Sequence, residues 1–379
     1  MANYKIGEIC QIVSGSTPKT SVNEYWDGNI KWITPAEINE DTYIVNDSER
    51  KISELAVEKN HMLSFPKGTV ILSSRAPIGK VAIAGCEMYC NQGFKNLICS
   101  NVINNKYLYW FLKEKKGFLN SLGRGATFKE ISKSIISKIE IEVPSKEKQE
   151  DIVEILEKIN NIIKDRKREI CALDNLIKAR FVEMFGDPIY NTNKLPIKRL
   201  NDLGEWASGG TPSRAISEYF EGDINWYSAG ELNTLFLEKS LEKITEEAIE
   251  KSSTKLFKAG SMLVGMYDTA AFKMGILKED SASNQACACI TPNDRINIIW
   301  LYYELQLMKE YFLSQRRGVR QKNLNLAMIK GFEIPIANRD KQDEFVRFVN
   351  QVNKSKVAVQ KALDEAQLLF DSLMQEYFG

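Results

Sequence analysis

The chain has 379 residues, enough for two or three domains, and its 44% hydrophobic and 27% charged residues are ordinary for a globular protein. No apolar stretch reaches about 18 residues and the N-terminus does not resemble a signal peptide, so we expect no transmembrane helix and a cytoplasmic location. Seven cysteines without a Cys-x-x-Cys pair and a single histidine argue against a zinc site, and we expect reduced thiols.

Positive charge is clustered, although the net charge is only +1. Three spans contain lysine or arginine and no acidic residue, namely 59–86, 115–129 and 314–332. Much of the negative charge falls in 147–157 and 238–250, which we interpret as helical. A near-neutral total can therefore conceal basic faces of the kind that binding to phosphates requires.

The first 145 residues have the pattern of a mixed globule. They carry a Ser-Gly-Ser-Thr-Pro motif at 14–18 and a Tyr-Trp-x-Gly-x-Ile-x-Trp motif at 25–32. Short apolar runs at 68–73 and 80–85, bounded by turn residues, predict strands, and 105–115 predicts a helix. This mixture is typical of an α+β fold with several short strands.

Residues 146–186 predict one long helix. Apolar residues recur in steps of four and three, and only Arg166 and Arg180 interrupt the stripe. Ser145 is a good N-cap, while Gly186 and Pro188 end the helix. The core residues of this stripe are Ile152, Leu156, Ile159, Ile163, Ile170, Leu173 and Ile177.

Residues 187–338 repeat the first globule at an offset of about 193 residues. The Ser-Gly-x-Thr-Pro motif returns at 208–212, and the aromatic motif returns at 219–226 with Phe in place of the first Trp. The Asn-Gln pair at 91–92 returns at 284–285. So many matches in one order indicate a duplication, and hence two similar domains rather than a solenoid.

Residues 339–379 predict a second long helix in the register of the first. Asn338 is its N-cap, and Lys356 is the one interruption of its stripe. Because the two stripes share a register, we expect the helices to pair as a coiled coil. The core residues of the second stripe are Phe345, Val349, Val352, Val359, Leu363, Phe370 and Leu373.

Connectivity then predicts a layout. A helix of about 40 residues is ~60 Å long, and the second globule starts shortly after the first helix ends. We therefore expect two similar mixed globules at opposite ends of two antiparallel helices, related by a pseudo-twofold axis. Such a molecule suits a DNA duplex, on which half-sites about one helical turn apart share a face.

These features together resemble the specificity subunits of type I restriction–modification systems. The resemblance rests on the order globule–helix–globule–helix, on the two Ser-Gly-x-Thr-Pro motifs, on Ala-Glu-Ile-Asn at 36–39 and on Phe-Gly-Asp-Pro at 185–188. It covers the whole chain and both repeats. Each motif is weak alone, whereas their order and duplication are specific.

The resemblance implies two target recognition domains, 1–145 and 187–338, each reading one half of a split, asymmetric DNA site. It also implies two spacer helices, 146–186 and 339–379, that set the gap between the halves and carry two methyltransferase subunits. Those partners would methylate adenine with S-adenosylmethionine, and an ATP-driven restriction subunit would join them in a complete phage-defence system. The chain itself would be a non-catalytic, DNA-associated subunit of a prokaryotic cytoplasm, without metal or cofactor.

Under this resemblance, matching loops of the two domains are expected to contact DNA. Residues 14–19 and 208–214 would offer hydroxyls and a basic residue to phosphates, with glycine permitting close approach, or else form only a tight turn. Arg75 would pair with a guanine edge, and Tyr267 at the matching position would stack or donate a hydrogen bond, unless the difference is loop drift. The Asn-Gln pairs would bind adenine or the DNA backbone, or merely hold a turn.

The basic loops near 124 and 320 are expected to contact mainly phosphates rather than form a solvated face. The predicted contacts of the first domain are Ser14, Ser16, Thr17, Lys19, Ser73, Ser74, Arg75, Lys80, Asn91, Gln92, Lys95, Arg124 and Lys129. Those of the second domain are Ser208, Thr211, Ser213, Arg214, Tyr267, Lys273, Asn284, Gln285, Arg316, Arg317, Arg320, Gln321 and Lys322.

Two other functions remain open. One is a protein-only scaffold, against which the paired basic loops argue. The other is a stand-alone DNA methyltransferase or nuclease, suggested by the likeness of Asp-Pro-Ile-Tyr at 187–190 to the Asp-Pro-Pro-Tyr motif of adenine methyltransferases. The second proline is missing there, and we find neither a glycine-rich cofactor loop nor a phosphate-binding loop, so this alternative is disfavoured.

Overall fold

The structure is a computed structural model that describes residues 2–124, 129–315 and 323–379. The chain divides into two compact units. Unit 1 comprises residues 1–167 and 361–379, and unit 2 comprises residues 168–360. Each unit therefore contains one globule together with one end of each long helix.

The described residues of the first half form short strands and helices before the first long helix. The strands are β1 (Ala2–Lys5), β2 (Cys10–Ser14), β3 (Ile30–Ile33), β4 (Ile44–Val45), β5 (Arg50–Ile52), β6 (Val70–Leu72), β7 (Val81–Ala84), β8 (Tyr89–Cys90), β9 (Lys95–Cys99) and β10 (Glu140–Val143). The helices are α1 (Ile6–Ile9), α2 (Glu54–Lys59), α3 (Asn105–Glu114), α4 (Lys116–Leu122), α5 (Lys133–Ile136) and α6 (Lys146–Phe185).

The second half follows the same plan. Its strands are β11 (Ile197–Arg199), β12 (Gly204–Ser208), β13 (Ile224–Tyr227), β14 (Phe236–Leu237), β15 (Glu242–Ile244), β16 (Met262–Gly265), β17 (Met274–Leu277), β18 (Ala282–Ser283), β19 (Cys287–Pro292) and β20 (Glu333–Pro335). Its helices are α7 (Glu246–Glu250), α8 (Ile298–Leu307), α9 (Lys309–Ser314), α10 (Leu326–Gly331) and α11 (Arg339–Phe378).

Strand order is the same in both units. Unit 1 has a five-stranded sheet β2-β9-β6-β7-β4, a three-stranded sheet β5-β3-β8 and the pair β1-β10. Unit 2 has β12-β19-β16-β17-β14, β15-β13-β18 and the pair β11-β20. The outer pairs β4·β7 and β14·β17 are parallel, as are β3·β8 and β13·β18. The duplication and the mixed α+β fold of each repeat are thereby confirmed.

One acidic segment differs from its predicted structure. Residues 238–250 do not form a continuous helix, because Ile244 of β15 pairs with Ile224 of β13. Only α7, which Thr245 caps by accepting from the backbone N–H of Ala248 at 3.2 Å, is helical there. The sheet pairing overrides the helical tendency of the glutamates.

The helices α3 and α8 join the sheets to the long helices. Residues 107–112 of α3 are all buried, which a helix shows only when neighbours cover every face. Trp110 packs edge-on against Phe370 of α11, with ring centroids 5.5 Å apart. In unit 2, Trp300 of α8 stacks on Phe181 of α6 with centroids 6.0 Å apart. Each long helix is therefore part of a globule's core.

Within each unit the two long helices run antiparallel, as predicted. In unit 2, Phe181 packs against Phe345 with ring centroids 5.1 Å apart, and Asp174 pairs with Lys356 at 2.5 Å. In unit 1, Leu156 near the start of α6 shares a hydrophobic cluster with residues 374 and 378 at the end of α11. Lys356, which interrupts the apolar stripe, is thus held by an ion pair to the facing helix.

Burial follows the apolar stripes. Nine stripe residues are buried: Ile152, Leu156, Ile159, Ile163, Ile177, Phe345, Val349, Val352 and Val359. Ile170, Leu173, Leu363, Phe370 and Leu373 are half-buried.

A capping residue precedes each long helix, Ser145 before α6 and Asn338 before α11. Ser145 Oγ accepts from the backbone N–H of Lys148 at 3.4 Å, and Asn338 Oδ1 accepts from that of Lys341 at 3.0 Å. Gly186 follows α6 with φ of 80°, in the left-handed region that glycine adopts without strain.

A buried glutamine at the start of each long helix was missed by the sequence analysis. Gln149 Oε1 accepts from the backbone N–H of Asn104, the N-cap of α3, at 2.7 Å. Its Nε2 donates to the carbonyls of Val102 and Pro144 at 3.1 and 3.0 Å. Gln342 makes the matching bonds in unit 2. This side chain fixes the long helix to the short helix beside it.

Candidate nucleic-acid interface

In unit 1 the loop at 14–19, called here the hydroxyl loop, packs on the turn at 91–92, called the amide turn. Thr17 Oγ1 donates to Gln92 Oε1, and the backbone N–H of Ser16 donates to the carbonyl of Cys90 at 3.0 Å. Trp32 Nε1 also donates to the carbonyl of Ser16, at 3.0 Å. Two motifs that are about 75 residues apart in the sequence therefore form one surface.

Unit 2 builds the same surface from its hydroxyl loop at 208–214 and its amide turn at 284–285. Thr211 Oγ1 donates to Gln285 Oε1, and Trp226 Nε1 donates to the carbonyl of Gly210 at 3.0 Å. The recurrence in both units shows that the framework of the surface was duplicated with the fold.

The first glycine of each hydroxyl loop has a packing role. A Cβ on Gly15 would lie 2.2 Å from the carbonyl oxygen of Asn91, and one on Gly209 would lie 2.3 Å from that of Asn284. No side chain fits in so short a distance. The close approach that we attributed to DNA is thus an approach of the loop to its own amide turn.

Asparagine and glutamine of the amide turns have different surroundings. Asn91 Oδ1 accepts from the backbone N–H of Gly93 at 2.9 Å, and Asn284 Oδ1 accepts from that of Ala286 at 3.0 Å. These asparagines hold the turn. Gln92 and Gln285 are exposed. The glutamines are therefore the better candidates for contact with a ligand.

Three predicted contact residues of unit 1 are buried. Ser73 Oγ donates to the carbonyl of Pro77 at 2.8 Å and also accepts from the backbone N–H of Lys80. Ser74 Oγ donates to the carbonyl of Gly93 at 3.1 Å. Lys95 is 7% exposed. Because their polar atoms bond within the protein, we remove Ser73, Ser74 and Lys95 from the candidate interface.

The two matched lysines support the scaffold of the surface. Lys80 Nζ donates to the carbonyl of Pro35 at 2.8 Å, and Lys273 Nζ donates to that of Gly230 at 3.3 Å. Both are half-buried beside the short turn that follows β3 in unit 1 and β13 in unit 2.

The remaining predicted residues of the described chain lie at the surface. Those that are exposed or half-buried are Ser14, Ser16, Thr17, Lys19, Arg75, Arg124, Lys129, Ser208, Thr211, Ser213, Arg214 and Tyr267. Arg316, Arg317, Arg320, Gln321 and Lys322 lie outside the described residues.

Arg75 and Tyr267 occupy equivalent places at the ends of β6 and β16. The residue before each donates its backbone N–H across the sheet, Ser74 to Gly93 at 2.7 Å and Met266 to Ala286 at 2.9 Å. The Arg75 side chain is 43% exposed, and Tyr267 is 39% exposed. One backbone framework thus presents a cation in unit 1 and a phenol in unit 2.

Arg50 and Glu242 are a second pair of unlike side chains at matching positions, which the sequence did not reveal. The Arg50 guanidinium lies 3.7 Å from the ring centroid of Trp26, and that of Arg214 lies 4.3 Å from the ring of Phe220. Glu242 pairs with Arg214 and occupies in β15 the register position of Arg50 in β5. The repeated aromatic motif indicated the ring of each stack. The cation could not be matched in the same way, because Arg50 of unit 1 comes from β5 whereas Arg214 of unit 2 comes from the hydroxyl loop.

Metal and membrane features are not found in the described part of the chain. No three or more His, Cys, Asp or Glu side chains are grouped there to hold a metal ion. None of its helices combines the length and the apolarity needed to cross a membrane. Asp187 Oδ1 accepts from the backbone N–H groups of Ile189 and Tyr190, so the Asp-Pro-Ile-Tyr segment forms a turn after α6.

Several proteins with known names or structures are similar to this chain. The specificity subunit of type I restriction enzyme MjaIX from Methanocaldococcus jannaschii is 35% identical over 279 residues, which cover 68% of this chain and 64% of that protein. The EcoR124I/EcoR124II specificity subunit of Escherichia coli is 25% identical over 54% of this chain and 51% of its own length. The chain thus aligns with less than two thirds of either relative.

Structural similarity extends over the whole chain. The crystal structure of the type I restriction–modification S subunit from M. genitalium matches 100% of this chain and 96% of its own, with a TM-score of 0.61 and 14% identity. A chain from a structure of type I R-M complex assembly matches with a TM-score of 0.64 and 15% identity. At such identity the likeness concerns the fold.

The family described as type I restriction modification DNA specificity domain matches the sequence twice, over residues 1–172 and 194–366. The two matches coincide with the two repeats of the fold and together cover most of the chain. The protein therefore belongs to the type I restriction–modification DNA specificity family.

Proposed function

We propose that the chain is the DNA-reading specificity subunit of a type I restriction–modification complex, and that each unit reads one half of a split, asymmetric site. The observation that supports this best is the unlike chemistry on a duplicated surface. Arg75 faces solvent where unit 2 has Tyr267, and Arg50 lies where unit 2 has Glu242. Two copies of one protein-binding surface would have no need of opposite charges at matched positions.

The proposed DNA surface of each unit consists of the hydroxyl loop, the exposed glutamine of the amide turn and the side chain after β6 or β16. Hydroxyls and basic side chains of the hydroxyl loops would contact phosphates, and these contacts fix position without reading sequence. Exposed amide, guanidinium and phenol groups would face base edges. We include Arg124 and Lys129, and on sequence grounds the basic residues at 316–322, as phosphate contacts.

In this proposal the partners carry the chemistry. Two methyltransferase subunits with S-adenosylmethionine would methylate adenine, and a restriction subunit with ATP would complete a system that cuts DNA. The chain would supply no catalytic centre and hold no cofactor. The paired ends of α6 and α11 in each unit would provide the platform for the methyltransferases.

Mapping methylated adenines in DNA from cells that express the chain with its methyltransferase partner tests the proposal. We expect one bipartite motif with two unlike halves and a constant gap. A contiguous or palindromic motif would contradict two unlike reading units. Methyl transfer by the lone chain would instead indicate the disfavoured enzyme.

Binding of the purified complex to that motif should fall steeply as salt rises, because phosphate contacts release counterions. Replacing Arg316 and Arg320 together by alanine should weaken binding to all sequences. Unchanged DNA affinity of that variant would favour a protein scaffold.

A further inference from the structure

Arg75 belongs to a group of three charged side chains in unit 1. Its Nε donates to Glu130 Oε2 at 2.8 Å, and Lys95 Nζ lies 3.3 Å from the other oxygen, Oε1. The Lys95 side chain is only 9% exposed, whereas that of Arg75 is 43% exposed. The carboxylate is therefore anchored from the interior by one cation and holds a second cation at the surface.

The main chain also fixes this carboxylate. Arg75 and Glu130 form a β-bridge, and the backbone N–H of Ile131 donates to the carbonyl of Ser74 at 2.8 Å. Burial alone would raise the pKa of Glu130, but the hydrogen bonds from Arg75 and Lys95 bring it below its usual value. The group is thus ionised at neutral pH and stays a hydrogen-bond acceptor for Arg75.

This contact decides which edge of the guanidinium remains available. A guanidinium is planar and carries five donors in a rigid fork. Glu130 accepts the hydrogen bond of the Arg75 Nε–H, and Nη1 and Nη2 donate none to the described ranges of the chain. The remaining edge presents two parallel donors, which match the N7 and O6 acceptors of guanine in the major groove. A phosphate would accept the same two donors, but such a contact would not discriminate one base pair from another.

Unit 2 lacks the whole group. The residues at the three matching positions are Tyr267, Asn323 and Ala288. The match follows from the backbone, since Leu324 donates to the carbonyl of Met266 at 2.8 Å as Ile131 does to that of Ser74. The β2–β9 pairing of Ser14 with Lys95 likewise corresponds to that of Ser208 with Ala288.

We propose that Glu130, anchored by Lys95, is a positioning residue that presents the Nη edge of Arg75 to a guanine in the half-site that unit 1 reads. Unit 2 reads its half-site without a guanidinium at this position. The inference rests on the proposed function, because it assigns one base pair within the split site.

The test compares variants of the full chain in complex with the methyltransferase partner. Binding is measured to the mapped target and to duplexes with single G·C→A·T replacements. The variants are Arg75→Ala and Glu130→Gln, and Arg124→Ala is the matched control because Arg124 is exposed beside the same bridge. We expect Arg75→Ala to lose discrimination at one G·C pair by about 5- to 150-fold, which is typical of a bidentate contact.

Glu130→Gln should lower discrimination at the same base pair, while its affinity for the replaced duplex stays equal or rises, because a negative charge is removed. Arg124→Ala should weaken all duplexes alike. Equal weakening of all duplexes by Arg75→Ala, or full discrimination in Glu130→Gln, would overturn the inference.

Glu130→Gln leaves the buried Lys95 without its acid and could reduce folding. The double variant Lys95→Met, Glu130→Gln removes both charges, and its loss at the same base pair would support the inference even if the single variant does not fold. Retained discrimination in a folded double variant would overturn it. A wild-type complex without sequence preference would refute the proposed function itself, which separates the two failures.

Discussion

Single side chains differ between the repeats even where the backbone is the same. Glu304 of α8 is 1% exposed, and its Oε1 has no hydrogen-bond partner among the described residues. The matching residue of α3 is Phe111, because Asn104 and Asn297 cap the two helices at equivalent positions. An ionised carboxylate in this apolar core would be costly, so burial raises the pKa of Glu304 well above its usual value.

Glu304 should make the stability of unit 2 depend on pH. The folded state keeps a proton that the unfolded state releases above a pH of about 4.3, so stability is greatest below that pH and falls as pH rises toward the folded pKa. The expected slope is about 1.4 kcal/mol per pH unit. Glu304→Gln should remove this slope and raise stability at pH 8, as measured by urea unfolding at several pH values. Parallel pH profiles for the two proteins would contradict the prediction.

At the scale of elements, the junction of each long helix with its globule depends on one buried amide. Gln149 makes two hydrogen bonds to the backbone around the start of α3 and one to the carbonyl of Pro144 before α6, and Gln342 repeats this arrangement between α8 and α11. Neighbouring positions of α6 are exposed. The matched sequence positions of the two glutamines were a signal, but polar residues near a helix start usually face solvent.

Gln149→Ala should destabilise the chain by about 2–4 kcal/mol, because it leaves the half-buried N–H of Asn104 and carbonyl of Val102 and the buried carbonyl of Pro144 without partners. Thermal unfolding measures the effect, and Glu150→Ala, an exposed neighbour on the same helix, is the control. Gln342→Ala should show a similar loss in unit 2. If Gln149→Ala unfolded at the temperature of Glu150→Ala, the glutamine would have no anchoring role.

At the scale of the whole molecule, charge is balanced in total but not in distribution. Lysine and arginine number 51 against 50 aspartate and glutamate residues. Some exposed cations are also neutralised locally, as in the pair of Arg214 with Glu242. The chain therefore has little long-range attraction for a polyanion.

We accordingly expect the lone chain to bind its target more weakly than the complex with methyltransferase subunits does. Fluorescence anisotropy with one labelled duplex at a single salt concentration compares the two directly. Equal affinity would show that the chain alone supplies the electrostatic contacts.

The sequence by itself determined the duplication, the two long helices with their caps, and the α+β character of each repeat. These features are carried by apolar periodicity, by capping residues and by repeated motifs, all of which can be recognised without knowledge of tertiary contacts. The candidate surface was only partly predictable: the sequence pointed to the hydroxyl loops, the amide turns and Arg75, but not to Arg50 or Glu130, and it did not reveal the buried Gln149.

Only the tertiary structure decided which polar side chains face outward. Ser74 and Lys95 are polar residues that the sequence placed at the surface, yet both are buried and bond residues distant in the chain, Gly93 and Glu130 respectively. Sheet order brings β6 beside β9 and the 130–131 segment, and no local pattern encodes that choice. Burial and hydrogen bonding depend on these distant neighbours, so the sequence proposed a candidate surface and the fold decided which of its side chains are exposed.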